Sequence, residues 1–260
     1  MSWGDNRHHP QLKWIPLIIG LLFFSVWELA SSAELISPLF FPAPTVIIEA
    51  IIRLFGSGEL TENLAATITR LLSGFLLGGL VGLSLGMFMG WSAATREVVD
   101  PLIAAVHPVP KISIFPLIMI VFGIGAMSKT MVIAVAAFFP MVINTMAGVR
   151  QISPIYFEVA KNYGAGPWQI FRHVTLPGSS AMILAGIRLA LNLSLTLTTS
   201  IELLMGHNGL GAMIWLSWQT LRIEELYAAI FCLALIGITF RYALIFLANR
   251  LVPWQERNGS

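Results

Sequence analysis

Residues Glu158 to Pro177 read EVAKNYGAGPWQIFRHVTLP and lie between two long apolar runs. The stretch is as long as a membrane span, yet Glu158, Lys161, Arg172 and His173 make it too polar to cross one. Glu158 to Tyr163 favours helix, and Gly164-Ala165-Gly166-Pro167 reads as a sharp turn. Glycine admits backbone angles that other residues resist, and Pro167 suits the first turn of a new helix. A second short helix is expected from Trp168 to Val174, stopping before Leu176-Pro177. Two short helices meeting at an angle predict a rigid knob at a membrane surface; the competing reading is an ordinary polar loop.

Composition places that knob in a polytopic membrane protein. Of 260 residues, 57% are hydrophobic and 11% charged, and the mean hydropathy is +0.81. Soluble domains carry about a quarter charged residues. The net charge of +2 comes without any basic cluster interleaved with aromatics, so nucleic acid is not an expected partner. Cys232 is the only cysteine and stands in an apolar run, which excludes an intrachain disulfide. His8 and His9 lie in a polar tail and read as solvated. The histidines form no local metal motif, and HExxH, GxSxG and paired carboxylates within one span are missing, so no catalytic or metal residue is expected.

Working outward gives an all-α bundle of about six transmembrane helices: a cytoplasmic tail at 1–13, one membrane domain over 14–250, and a second tail at 251–260. The first span is Trp14 to Ala30; Ala30-Ser31-Ser32-Ala33 mimics a signal-peptidase site, but the run is longer than a signal core and reads as a retained span. Residues 34–63 form a periplasmic segment. Within it Thr45 to Phe55 is expected as an interfacial helix, with Glu49 and Arg53 paired at i, i+4. The second span, Leu64 to Gly90, carries Gly74, Gly78, Gly82, Gly86 and Gly90 at every fourth position. That ridge invites close approach of another backbone, within the chain or across a dimer seam, and tight packing inside the chain is the favoured reading. Ser92 to Asp100 reads as a charged loop. The third span, Leu102 to Phe122, is interrupted by Pro108, Pro110 and Pro116 and contains Lys111, a pattern tolerated where backbone is packed in protein or lines a cavity. Met131 to Val149, Ser179 to Met205 and Leu226 to Asn249 complete the set. Gly123 to Thr130, GIGAMSKT, nearly fits a phosphate loop, but Ser128 replaces its second glycine and no soluble strand precedes it, so it is rejected.

Basic residues orient the bundle. Arg7, Lys13, Arg96, Arg150, Lys161, Arg172, Arg250 and Arg257 fall on one side, against Arg53, Lys129 and Arg222 on the other. The richer side is cytoplasmic by the positive-inside rule, and it includes the loop at 150–178.

In that loop Glu158, Ala160, Gly164, Val174, Leu176 and Pro177 have the spacing Glu-Ala-Ala, three residues, Gly, nine residues, Ile, one residue, Leu-Pro, with Val159 and Val174 as conservative departures. This resembles the EAA motif of permeases of ATP-binding cassette (ABC) importers. The resemblance runs from about Leu29 to Trp254 and looks closest to the nitrate, taurine and aliphatic-sulfonate branch, which Asn144-Thr145, Gly148-Val149 and Gly209-Leu210-Gly211 also resemble. It implies a type I importer permease fold in the bacterial inner membrane, with the loop as a coupling helix whose Glu158, Ala160, Gly164, Leu176 and Pro177 engage a separate ATPase. It further implies a second copy of the permease, two cytoplasmic ATP-binding subunits that hold ATP and Mg, and an extracytoplasmic solute-binding protein. This chain would bind no cofactor and hydrolyse nothing. In that branch an Arg often stands where this chain has His107.

The fifth span is the most polar. Arg188, Asn192, Thr199 and Glu202 share a broad helix face with Thr196 close by, and Ser194 and Thr198 occupy a neighbouring stripe. Polar groups at membrane depth are costly unless paired or wet, so the stripe is a candidate translocation pathway; hydrogen bonding between helices is the other reading. Resemblance adds that this span flanks the pore and that Glu202 matches a Glu before Gly-Leu-Gly. The expected function is alternating-access import of a small anion or organic anion: nitrate, bicarbonate, taurine or another sulfonate. The rivals are a secondary transporter or channel, which needs no knob, and an intramembrane enzyme, which lacks its reactive groups.

Overall fold

The computed structural model describes residues 14–251; both expected tails lie outside them, apart from the backbone at position 251. Among the described residues the chain is helical, with no strand. The helices are α1 (Ile15–Ser32), α2 (Pro44–Gly56), α3 (Glu59–Trp91), α4 (Ala93–Val106), α5 (Phe115–Phe122), α6 (Ala126–Arg150), α7 (Pro154–Asn162), α8 (Pro167–Ile170), α9 (Leu176–Met205), α10 (Leu210–Gln219) and α11 (Ile223–Leu251). Helices α1, α3, α6 and α11, and the run from α8 through α9, are long and apolar enough to cross a membrane. The pair α4–α5, bent by 92° at its break, makes a sixth crossing.

Helix α6 is the core of the bundle: two thirds of its spanning window is buried, against 6% for α1. The glycine ridge of α3 lies along it. A Cβ on Gly74 would meet Ile133 Cγ2 at 2.6 Å, one on Gly82 the carbonyl of Phe138 at 2.6 Å, and one on Gly86 the carbonyl of Val142 at 2.6 Å. Gly78 rests on the backbone of Ala134, and Gly90 on the side chain of Val149. Both residue numbers rise together, so α3 and α6 run parallel, and α4–α5 must return across the membrane between them. On its other side α6 packs antiparallel to α9, where Gly148 meets Ser179 and Met182 while Gly186 meets Asn144 and Pro140.

Three local expectations are corrected. Ser92 to Asp100 is not a loop: the Ser92 hydroxyl accepts from the Thr95 amide at 3.1 Å, and α4 starts at Ala93. Its charges stand on a regular helix, Glu97 exposed and Arg96 and Asp100 half-buried, not on irregular chain. Arg53 pairs with Glu224 at 3.4 Å and Glu225 at 3.5 Å across the α2–α11 contact, not with Glu49. Finally, the short helix beginning at Pro167 does not stop before Leu176-Pro177. It passes through a π-helical turn, Phe171–Thr175, into α9, giving one helical run of 39 residues from Pro167 to Met205. Pro177 has no amide hydrogen to continue the usual ladder, and the wider turn, in which Leu176 N–H donates to the Phe171 carbonyl, absorbs the mismatch.

The α3–α6 seam predicts that Gly82→Leu lowers the thermal unfolding midpoint in detergent by an amount equivalent to about 1–3 kcal/mol. Gly20→Leu, where an added Cβ meets nothing within 4 Å, leaves it unchanged. Equal midpoints for the two variants would refute the seam.

Candidate functional site

The knob is built by its turn. Helix α7 ends in a Schellman arrangement: the Ala165 amide donates to the Ala160 carbonyl at 3.0 Å, and the Gly164 amide to the Lys161 carbonyl at 2.9 Å. Closing it requires φ of +76° at Gly164, a left-handed angle that β-branched residues resist. Pro167 then opens α8, and the Gln169 side chain accepts the Gly166 amide at 2.8 Å. Phe171 stacks between Trp168 and Trp91, with ring centroids 5.5 Å and 5.9 Å away, which pins the π turn to the end of α3. Glu158 and Lys161 line a groove of about 800 Å³ between the knob and the ends of α3 and α6, together with Arg96 and Arg150. The tip is apolar and open: Tyr163 is 89% exposed, and Tyr156, Val159 and Trp168 are exposed beside it. Leu176 is exposed at the knob's base and Pro177 half-buried.

The polar stripe on α9 divides in two. Arg188, Asn192 and Thr196 lie together on an open face. Thr199 and Glu202 do not join them, because α10 folds back over the outer end of α9. Thr199 is half-buried and its carbonyl lies against Gly211, and Glu202 is fully buried. Thr198 and Ser194 are also buried, the Thr198 hydroxyl donating to the Ser194 carbonyl at 2.7 Å.

Glu202 is therefore corrected from a pathway residue to an anchor. Its carboxylate pairs with the Arg70 guanidinium from α3. It also accepts from the Thr67 hydroxyl at 2.9 Å and from the Gly211 amide at 3.0 Å. The Leu210 amide donates to Thr67 Oγ1 at 2.8 Å, and the Gly209 amide to Asn63 Oδ1 at 2.7 Å. Three successive amides at the start of α10 are thus met by side chains of α3 and α9. Arg70 donates its second nitrogen to Asn208 at 3.0 Å. Gly209, at φ +108°, has no room for a Cβ against Glu202, which gives the Gly-Leu-Gly turn its physical reason. Arg70 is not among the candidate pathway residues read from the sequence. The signal that could have found the pair is an Arg and a Glu near the same end of two apolar spans.

The near-phosphate loop has a structural use as well. Lys129 donates its ammonium to the Met205 carbonyl at 3.0 Å, closing the C-terminus of α9, and Ser128 caps back to the Gly125 carbonyl at 3.0 Å.

Breaking a buried ion pair by removing one partner costs about 3–5 kcal/mol. Arg70→Gln and Glu202→Gln each should lower the detergent unfolding midpoint strongly, and the double variant should cost clearly less than their sum. A strictly additive double-mutant cycle would show that the two charges are not coupled.

The family model described as "Binding-protein-dependent transport system inner membrane component" matches residues 78–257. The chain is 33% identical to the taurine transport system permease protein of Escherichia coli (strain K12), over 96% of each chain. To a putative aliphatic sulfonates transport permease protein of Bacillus subtilis (strain 168) it is 31% identical, over 92% of this chain and 87% of that one. Among solved structures it resembles an inward-facing conformation of the MetNI methionine ABC transporter. The TM-score is 0.60 at 18% identity, covering 73% of this chain and 94% of the other, a likeness of fold.

Proposed function

The chain belongs to the binding-protein-dependent transport system inner membrane component family and is the inner-membrane permease subunit of an ABC importer; from that premise we propose that its cargo is a small organosulfonate. The names of the taurine and aliphatic-sulfonate relatives support that class. An anionic cargo also suits the open face of α9. Arg188 stands on it, exposed, and no carboxylate pairs with Arg188 among the described residues.

The observation that carries the mechanism is the continuity of the helix from Pro167 to Met205. The second helix of the knob, at one end, and the Arg188–Asn192–Thr196 face, in the middle, belong to one continuous helical rod. The exposed aromatic tip of the knob suits a groove in an ATPase subunit, with Gly164 setting its angle. Two permease copies, each docked on its own ATPase that holds ATP and Mg, surround a central path, and a solute-binding protein delivers cargo from outside. Closure of the ATPases draws the knobs together, and each rod tilts, moving its polar face between outward and inward access. A secondary transporter or channel would need no such rod ending in a docking knob.

Two outcomes follow. Gly164→Val forces a β-branched residue into a left-handed angle, misplaces the tip and lowers ATP-driven uptake at least tenfold, measured in proteoliposomes holding the full importer; normal uptake would exclude the knob as the coupling element. Arg188→Gln preserves reach and hydrogen bonding but removes the charge. It should reduce taurine uptake several-fold while assembly, judged by co-purification of the ATPase, is unchanged. Undiminished uptake would remove Arg188 from the pathway.

A further inference from the structure

The third span is broken at membrane depth, and the break faces a cavity. Helix α4 ends at Val106, and the chain turns through Pro108 and Pro110 into a 3₁₀ turn, Lys111–Ile114, that leads to α5. A break of this kind is stable in a membrane only against protein or a wet cavity. Here it opens on a space of about 270 Å³ lined by His107, Lys111, Phe139, Leu193, Thr196 and Ser200, among others. Thr196 belongs to the open face of α9 described above, so the cavity adjoins that face.

Lys111 is the chemical centre of this space. Its ammonium donates to the carbonyls of His107 at 2.6 Å and Val109 at 2.8 Å, with Val106 at 3.3 Å. It also stands 4.2 Å from the centroid of the Phe139 ring, on which His107 stacks with centroids 5.4 Å apart. Carbonyl dipoles and a ring face hold the cation in place, but none carries a full negative charge. Among the described residues no carboxylate pairs with Lys111. The other two span lysines and arginines that reach the bundle interior are committed: Arg70 to Glu202 and Lys129 to the end of α9. Lys129, like Lys111, meets a carbonyl and no carboxylate, but of these three side chains only Lys111 lines this space.

We infer that this cavity is a transient subsite for the transported solute, in which Lys111 attracts an oxyanion and the Phe139–Leu193 wall receives a short carbon chain. At the roughly 30 Å³ each water claims in the liquid, the space takes on the order of nine heavy atoms, the size of taurine or a short alkanesulfonate. The Thr196 and Ser200 hydroxyls donate back along α9, to Asn192 at 3.0 Å and Thr196 at 2.9 Å. They therefore present oxygen lone pairs to the cavity, which suit an amino group at the far end of the solute. His107 also lines the space beside the cation. This subsite rests on the organosulfonate reading of the cargo and adds the residues that would recognise it.

The test uses the full importer in proteoliposomes with radiolabelled taurine, reading uptake and binding-protein-stimulated ATP hydrolysis together. Lys111→Gln should lower uptake at least tenfold while stimulated hydrolysis stays within twofold, and Lys111→Arg should recover most of the uptake. Because Lys111 also closes the end of α4, Leu193→Trp is the second variant: it fills the cavity, leaves every backbone bond at the break in place, and should cost uptake in the same way. In a Cys232→Ala background, Ser200→Cys should be labelled by a negatively charged methanethiosulfonate during turnover, and taurine should slow that labelling several-fold. Uptake by both Lys111→Gln and Leu193→Trp within twofold of the unmodified importer would overturn the subsite, as would labelling indifferent to taurine. If the unmodified importer carries no organosulfonate at all, the cargo reading itself fails, and the subsite fails with it.

Discussion

Hydrocarbon offers no water to a backbone amide or carbonyl left over at a helix end, and each one unmet costs several kcal/mol. This chain interrupts its helices repeatedly and sends a charged side chain to four of the resulting ends. Glu28 on α1 accepts the Thr45 amide at 3.1 Å at the start of α2, and Glu202 accepts the Gly211 amide at the start of α10. Lys111 closes the carbonyl end of α4, and Lys129 that of α9. Acids serve N-termini and bases serve C-termini, the arrangement that the helix macrodipole favours. The remaining architecture follows: α1 is tied to α2, the α10 turn is clamped over the end of α9, and where the third span bends by 92° Lys111 meets the carbonyls of Val106, His107 and Val109.

Those clamps decide which parts can move as units. The α3–α6 seam brings backbone against backbone at Gly78, Gly82 and Gly86, so the two helices have little room to slide. Arg70 and Glu202 join α3 to α9 at the outer end, and the stack of Trp91, Phe171 and Trp168 joins them at the inner end. A displacement of the knob is thus delivered to a block comprising α3, α6 and α9. Helix α1, with an almost wholly exposed spanning face, is left outside that block.

Much of this was legible in the order of residues. Apolar run lengths set the six crossings, and the spacing from Glu158 to Pro177 set the knob and the family to compare. These are properties of short segments, fixed by span length, charge placement and turn chemistry, and they hold whatever the segments pack against. The glycines at every fourth position likewise announced a close contact before its partner could be known.

What local pattern could not carry was partnership. Arg188, Asn192, Thr199 and Glu202 share a face on an isolated helix, but only the folded chain lays α10 over two of them and leaves the other two open. Arg53 had a carboxylate one turn away and bonded instead to two on another helix. Leu176-Pro177 looked like a stop because proline normally ends a helical ladder, and the π turn that carries the rod through it is held by aromatic stacking against α3. The sequence by itself determined a six-span importer permease with a two-helix knob between its fourth and fifth spans. Tertiary structure alone decided which charges are neutralised, because the partners that do so, Glu202 for Arg70 and Glu224 for Arg53, lie more than a hundred residues away in sequence.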